Sequence, residues 1–435
     1  MNTNETILSM AEQLLPEMTA LRRDFHKNAE TGWFEMRTSS IIARKLTQLG
    51  YEVLVGEQVC DRETRMGVPS EEKLEAHYAW AEANGADPEF LPATRGGMTG
   101  VIGILRCGEG PTVAMRFDID ALGVVEATDD AHRPAKEGFA SVNNGMMHAC
   151  GHDGHAVIGL GVAQVLMAIR ENLHGTVKLI FQPAEEGVRG AKSIVEKGHL
   201  DDVDLFLASH IQDNKGLETV PVYPGATGSL ATCKYDVTYR GLAAHAGGSP
   251  NLGKNAMLAA CTAVMNLNAI PRHRGGATRI NVGTLHAGSG RNVIPDEAIM
   301  EIELRGETTE LNNYMCDFAR RILENAAAMY ECTCEIKLMG AADSLDSDED
   351  LGVRVRDAVA ELGMPVPQKL MLRSGGSEDV SYMMNRVQER GGQATFMRFP
   401  TWVTGGAHNR RYDFGEEVLA NGVKVFCVTT ASLLK

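Results

Sequence analysis

Apolar positions spaced three and four residues apart dominate the first fifty residues. Ile7, Leu8, Ala11, Leu14, Leu15 and Met18 line one stripe, and Ile41, Ile42, Leu46 and Leu49 line a second. This is the spacing of amphipathic helices. Gly50 stands where a helix C-terminus favours a left-handed residue. Short apolar runs at 101–105, 112–117, 176–181 and 204–209 read as strands, and the spacing at 157–169 and 191–197 reads as helix. Strands alternating with helices predict a mostly parallel sheet covered on both faces. Ligands of such sheets lie beyond the carboxyl ends of the strands, where Asp118, Gln182 and His210 fall.

The pattern changes near Ser229. Residues 231–240 alternate like a strand, 255–270 are helical, 279–286 and 298–305 alternate again, 309–328 are helical, and 332–338 close the set. That order, β-α-β-β-α-β, is the ferredoxin-like arrangement. The expected fold is α/β with two domains. A catalytic domain built on a mixed α/β sheet spans 1–227 and 339–435, and a ferredoxin-like domain is inserted at 228–338. The stretch 56–97 carries a polar helical run at 70–83 between glycine-bearing turns. Connections this long serve as lids or binding elements, or decorate the surface, and both readings stand open here.

With 435 residues, 44% hydrophobic and 23% charged, the chain has ample material for two cores. A formal net charge of −15 argues against nucleic acid or an anionic membrane as a partner, since both require clustered Lys and Arg. No run reaches the roughly 18 apolar residues of a membrane span, and no basic leader precedes the first helix. Nine cysteines lie scattered, unlike a disulfide framework, and Cys332 and Cys334 fit strand alternation. A reduced, cytoplasmic protein is expected.

The chemistry concentrates in two short runs. Met147-His148-Ala149-Cys150-Gly151-His152-Asp153-Gly154-His155 places a thiol and imidazoles around one turn, and Gln182-Pro183-Ala184-Glu185-Glu186 follows an apolar strand. Zinc, manganese and cobalt accept imidazole, and zinc takes thiolate readily. Adjacent carboxylates point apart, so one can bind a cation while its neighbour faces the water that attacks the substrate. His210 ends a strand and His408 lies in a glycine turn. With Cys150, His152 and Glu186 they make five candidate ligands, a number that suits two metals. Asp118 is placed to orient an imidazole from behind. His245 lies in a Gly/Ala loop with little packing reason to be there, and no phosphate-binding glycine motif is present.

These residues resemble the signature of the aminoacylase/hippurate-hydrolase group of di-metal amidohydrolases. So do Arg116-Phe117-Asp118-Ile119-Asp120-Ala121-Leu122, Ala244-His245-Ala246, Gly376-Ser377-Glu378-Asp379 and His408-Asn409. The resemblance covers nearly the whole chain. It implies two divalent ions, manganese or zinc, with Cys150 joining them and His152, Glu186, His210 and His408 as the other ligands. It implies that Glu185 is the general base, that Asp118 steadies the His152 side, and that His245 stabilises the oxyanion and in relatives reaches a neighbouring subunit's site. The inserted domain would then act as a lid and dimerisation element. Asn292 and Arg305, with Glu378 behind them, are candidates for gripping substrate carboxylates. The 56–97 stretch, 139–145 and 287–293 resemble the corresponding parts of hydrolases that act on p-aminobenzoyl-glutamate, and the first of them sets the chain apart from ordinary hippurate hydrolases. That likeness implies hydrolysis of p-aminobenzoyl-glutamate to p-aminobenzoate and glutamate. A broader N-acyl-amino-acid or dipeptide hydrolase is the alternative, and a non-catalytic subunit or metal-dependent binding protein is the non-enzymatic one. The expected partners are a small acyl-amino-acid substrate and a second chain, giving a homodimer or a heterodimer with a related hydrolase subunit.

Overall fold

The computed structural model describes residues 2–435, which divide into two compact units. One comprises the chain up to Thr227, Asp346–Arg373 and Asp379–Lys435; the other comprises Gly228–Leu345 and Ser374–Glu378. The first unit begins with α1 (Thr3–Lys27), α2 (Met36–Leu49), β1 (Glu52–Val55), α3 (Glu71–Ala83), β2 (Val101–Arg106) and β3 (Thr112–Asp118). It continues with the short α4 (Arg133–Lys136), α5 (His152–Ala168), β4 (Thr176–Gln182), α6 (Ala191–Glu196), β5 (Leu205–Asp213) and β6 (Gly225–Thr227). The second unit supplies β7 (Ala231–Arg240), α7 (Ala256–Asn268), β8 (Thr278–Ala287), β9 (Glu297–Gly306), α8 (Thr309–Met329) and β10 (Thr333–Ala342). The chain then returns with α9 (Glu349–Glu361), β11 (Met371–Arg373), α10 (Val380–Glu389), β12 (Gln393–Thr401), β13 (Val403–Thr404), β14 (Asp413–Phe414) and α11 (Glu417–Leu433).

The main sheet of the first unit has the order β1-β2-β4-β3-β5-β12. Neighbours from β4 to β12 pair in parallel, whereas β1/β2 and β2/β4 are antiparallel. The mostly parallel sheet that was expected therefore carries an antiparallel margin. Residues 107–111 cannot supply the dozen residues of a parallel crossover, so the chain reverses between β2 and β3. Phe117 of β3 meets Phe181 of β4 and Phe426 of α11 at ring-centroid distances of 5.6 and 5.1 Å. Asn2 and Glu5 cap α1 reciprocally, side chain to backbone, which satisfies donors that a helix start leaves open. Gly50 closes α2 in the left-handed conformation.

The second unit has a four-stranded antiparallel sheet in the order β10-β7-β9-β8, with chain order β-α-β-β-α-β. Along β9, Ala298, Met300, Ile302 and Leu304 are buried at alternate positions. They form one core with Ala259, Ala263, Met315 and Leu323 from α7 and α8. The unit extends beyond residue 338 because β10 continues past a bulge at Leu338/Gly340 to pair Ala342 with Thr232. Ser229 and Leu345 form a bridge where the chain enters and leaves.

Candidate metal centre

The parallel strands end where the chemistry gathers. Cys150 sits in the turn that opens α5. Gly151 stands at φ 91° there, and a Cβ on it would lie 2.8 Å from the Tyr412 hydroxyl, so only glycine makes this turn. One residue on, His152 enters α5, Glu185 and Glu186 follow the end of β4, and His210 lies within β5. His408 belongs to the loop between β13 and β14, and its N–H donates to the Ala149 carbonyl at 2.8 Å, tying that loop to the Cys150 turn. Ala184, Val188 and His408 all hold positive φ, at 50°, 60° and 63°. Left-handed backbone at non-glycine residues is strained and clusters at functional sites.

Ligand-capable atoms of Cys150, His152 and His210 lie within 4.8 Å of one another, as do those of Cys150, Glu186 and His408. Cys150 is common to both groups. Its Sγ is 3.3 Å from His210 Nε2, His408 Nε2 is 3.6 Å from Glu186 Oε2, and His152 Nε2 is 4.0 and 3.9 Å from Glu185 and Glu186. The imidazoles are fixed from behind. His210 Nδ1 lies 2.6 Å from the Ile211 carbonyl, so Nδ1 carries the proton and the Nε2 lone pair faces inward. Burial and His155 push this imidazole well below its ordinary pKa, which keeps it neutral. His152 Nδ1 lies 3.0 Å from the Asp120 carbonyl and 3.3 Å from its carboxylate. Its Nε2 is buried and makes no well-formed hydrogen bond within the chain. Burial and Glu186 push the Cys150 thiol up. Such a set suits a divalent cation, which would ionise the thiol, neutralise the carboxylates and occupy the inward nitrogens.

Asp118 lies beside His152, its Oδ2 3.6 Å from Nε2, and also faces His155. Its Oδ1 is 2.5 Å from His155 Nδ1, while His155 Nε2 accepts from the Ile211 N–H at 2.9 Å. Burial opposes its ionisation, but Arg116, His152 and His155 hold its carboxyl well below the usual range. The carboxylate behind His152 is Asp120, which also accepts from the Glu185 and Glu186 N–H groups at 3.0 and 2.9 Å. The Asp-Ile-Asp spacing was the available signal, but a pattern of residue types does not say which of the two faces the imidazole. Two further carboxylates support the Glu185 loop. Glu35 accepts from the Ala184 N–H at 2.8 Å, and burial with the Asp120 charge pushes it up to about 8. Asp379 accepts from the Gly190 and Ala191 N–H groups at 3.0 and 2.9 Å.

The remaining candidates belong to the second unit. His245 is exposed; its Nδ1 accepts from the Gly247 and Gly248 N–H groups at 3.1 and 2.9 Å, so Nε2 carries the proton and can donate. Asn292 lies beside it, its carbonyl accepting from the Ala246 N–H at 3.0 Å. Arg305 is not brought to Asn292. Asn292 precedes the start of β9 and Arg305 lies within that strand near its far end, which at ~3.3 Å per residue separates them by roughly 30 Å, and Arg305 pairs with Glu303 at 3.0 Å. One substrate therefore cannot bridge both within a single chain. Glu378 lies in the segment Ser374–Glu378, whose Gly376 carbonyl accepts from Leu230 at 2.9 Å.

The model of peptidase family M20/M25/M40 matches residues 114–431. The chain belongs to this family. It is 47% identical over 419 residues to an indole-3-acetyl-aspartic acid hydrolase of Enterobacter agglomerans, covering 96% of each chain. It is 43% identical over 427 residues to one of the p-aminobenzoyl-glutamate hydrolase subunits of Escherichia coli (strain K12), covering 98% of each. Among solved structures, an aminobenzoyl-glutamate utilization protein from Klebsiella pneumoniae superposes with a TM-score of 0.83 at 40% identity, covering 99% of this chain and 98% of that one. A dinuclear metal-binding peptidase of the M20 family from Bacillus subtilis gives 0.65 at 25% identity, covering 97% and 99%. The chain is accordingly a metal-dependent amidohydrolase of the metallopeptidase type. No helix among the described residues is long and apolar enough to cross a membrane.

Proposed function

We propose that the chain hydrolyses the amide bond of p-aminobenzoyl-glutamate, releasing p-aminobenzoate and glutamate. The observation that carries the reading is the Cys150 thiol shared by two ligand groups beside Glu185, in a chain that resembles a p-aminobenzoyl-glutamate hydrolase from end to end. The 47% identity to a hydrolase of indole-3-acetyl-aspartate supports a second reading, in which that conjugate is the substrate. Both readings share an aromatic acyl group joined through an amide to an acidic amino acid.

Cys150 would join two divalent ions, manganese or zinc, with His152 and His210 on one side and Glu186 and His408 on the other. When bound, such ions polarise an amide carbonyl and acidify water. Asp120 keeps the His152 lone pair turned inward and holds the Glu185 and Glu186 backbone. Glu185 takes a proton from the attacking water as its oxygen bonds to the carbonyl carbon. It returns that proton to the nitrogen as the C–N bond breaks. The protonated Nε2 of His245 is suited to stabilise the oxyanion, with the second unit serving as a ferredoxin-like lid and dimerisation domain, and Asn292 would contact a substrate carboxylate. A partner chain, identical or related, fits a relative that is itself one subunit of its hydrolase, and nine scattered cysteines fit a reducing cytoplasm.

The test is turnover of p-aminobenzoyl-glutamate and of indole-3-acetyl-aspartate by chelator-stripped protein, with manganese or zinc added back. Release of glutamate restored by metal is expected; release of aspartate alone would transfer the assignment to the second conjugate. No turnover of either, by the chain alone or with a co-purified partner, would overturn both.

A further inference from the structure

The stretch 56–97 takes no part in the chemistry of the metal centre, yet its position is informative. β1 ends at Val55 opposite Val101 of β2, and Val101 pairs with Phe181 near the carboxyl end of β4. The connection between β1 and β2 therefore leaves and re-enters the sheet at the end from which the Glu185–Glu186 loop departs. Substrates of open α/β sheets bind at that end.

Arg189 joins the two segments. Its Nε donates to the Glu186 carbonyl at 2.8 Å and its Nη1 to the Gly67 carbonyl at 3.2 Å. Its Nη2 lies over Gly32, where a Cβ would stand 2.3 Å away, so glycine leaves the room this guanidinium occupies. Arg65, two residues before Gly67, donates from Nη1 to the Gly96 and Gly97 carbonyls at 2.7 and 3.1 Å. Its guanidinium rests 5.3 Å from the Trp33 ring centre. Trp33 is fully buried and donates from Nε1 to the Met66 carbonyl at 2.8 Å. The two guanidiniums thus flank one turn, Gly32-Trp33.

Among the described residues, the hydrogen bonds that Arg65 and Arg189 make all go to main-chain carbonyls. In a chain with 57 acidic residues against 42 Lys and Arg, two partly buried guanidiniums that turn to carbonyls instead of carboxylates are out of keeping. Burial, and after it the nearby Arg62, also push Arg65 below its ordinary value. A guanidinium offers five donors in a planar fork that matches a carboxylate. The carbonyls occupy Nε and Nη1 of Arg189 and chiefly Nη1 of Arg65, leaving the Nη2 donors of each.

We propose that Arg65 and Arg189 receive the side-chain carboxylate of an acidic amino acid in the scissile substrate, which makes the 56–97 stretch a specificity element. This rests on the proposed hydrolysis of an acyl-glutamate or acyl-aspartate. It adds the reason that the acid, rather than its neutral isostere, is taken.

The experiment compares kcat/KM for p-aminobenzoyl-glutamate and p-aminobenzoyl-glutamine in the metal-loaded full chain and in Arg65→Met, Arg65→Lys and Arg189→Met. The wild type is expected to favour the glutamate conjugate. Each Met variant should lower the acid-to-amide ratio by about 10- to 100-fold, the range of charge-assisted hydrogen bonds, and Arg65→Lys should fall between. Because the readout is a ratio within one protein, a variant that is partly unfolded still reports. A ratio unchanged in both Met variants overturns this site and leaves the substrate assignment intact. Should the wild type cleave only indole-3-acetyl-aspartate, the same ratio is taken against indole-3-acetyl-asparagine. Cleavage of neither acid overturns the substrate assignment and this site together.

Discussion

At the scale of single residues, the centre depends on one carboxylate that binds nothing itself. The Asp120 carboxylate accepts from two backbone N–H groups and lies 3.3 Å from one imidazole nitrogen, which the Asp120 carbonyl also meets at 3.0 Å, and thereby sets the direction of His152 and of the Glu185–Glu186 pair. Groups behind metal ligands typically carry a factor of about 10 to 100 in metal affinity. Asp120→Asn should accordingly weaken binding of the first added manganese or zinc by that factor in a chelator-competition titration, with the circular-dichroism spectrum retained. Unchanged affinity would return the orienting role to Asp118. Glu185→Gln is expected to do the opposite: metal content by elemental analysis stays at the wild-type level, while kcat falls by about 10²–10⁴, the contribution of a general base. Loss of metal in that variant would make Glu185 a ligand instead. The ligand-capable residues were legible because the sequence sets each beside an apolar run or in a glycine turn, where packing gives no reason for Cys, His or paired Glu; β5 in fact runs on past His210 to Asp213. Asp120, Glu35 and Asp379 were not, because their significance lies in which backbone N–H groups they meet, and those N–H groups come from segments far away in the sequence.

Individual elements show the same division. The longer helices and strands before residue 339 followed from periodicity, whereas β1 and the short strands β6, β11, β13 and β14 are too brief to show a period, and the antiparallel margin of the mostly parallel sheet followed only once the 107–111 connection was seen to turn back. Least legible was the attachment of α1. A helix with an apolar stripe also buries Arg22 completely, because three carboxylates from distant segments meet it: Asp153 at 2.8 Å, Asp413 at 3.0 Å and Glu416 at 3.4 Å. Four residues on, His26 lies 2.9 Å from Asp153 through Nδ1 and 2.9 Å from Glu126 through Nε2. Two carboxylate partners require both ring nitrogens to donate, so His26 is an imidazolium. Arg22→Met strands several of these charges and should cost about 3–5 kcal/mol in unfolding free energy, as breaking a buried ion pair does. The pH dependence has two signs. Burial opposes the shift at each group, but Arg133, Arg23 and Arg22 hold Asp413 and Glu416 below their unfolded values. Their stabilisation is present above about pH 4.5 and is lost as pH falls through the lower folded values. Burial is likewise outweighed at His26 by Asp153 and Glu126, which raise it; its contribution is complete below about pH 6 and is lost as pH rises through the raised value. Melting temperatures measured from pH 3 to 9 should fall on both sides, with Arg22→Met flattening the acid limb and His26→Gln the alkaline one. Parallel curves for the variants and wild type would remove the network from the account.

For the whole molecule, the question is how far the two units are independent in energy. The second has its own core, and the chain that leaves the first at Ala226 is met on its return by the Ser347 N–H at 3.0 Å. Closely spaced ends are what allow one domain to be inserted into another without breaking either. Every residue of the two Cys150 groups belongs to the first unit, so metal binding should stabilise that unit alone. A ligand at 1,000 times its Kd contributes about 4 kcal/mol. For a unit of this size that corresponds to a rise of roughly 6 °C, taking an unfolding entropy near 2.1 cal/mol/K per residue. Differential scanning calorimetry of the metal-loaded chain should therefore resolve two transitions, and adding a chelator should lower one by that amount while leaving the other in place. The unmoved transition should match that of the fragment 228–345 expressed alone. If the chelator shifts both transitions equally, or the fragment fails to unfold cooperatively, the units form one energetic whole.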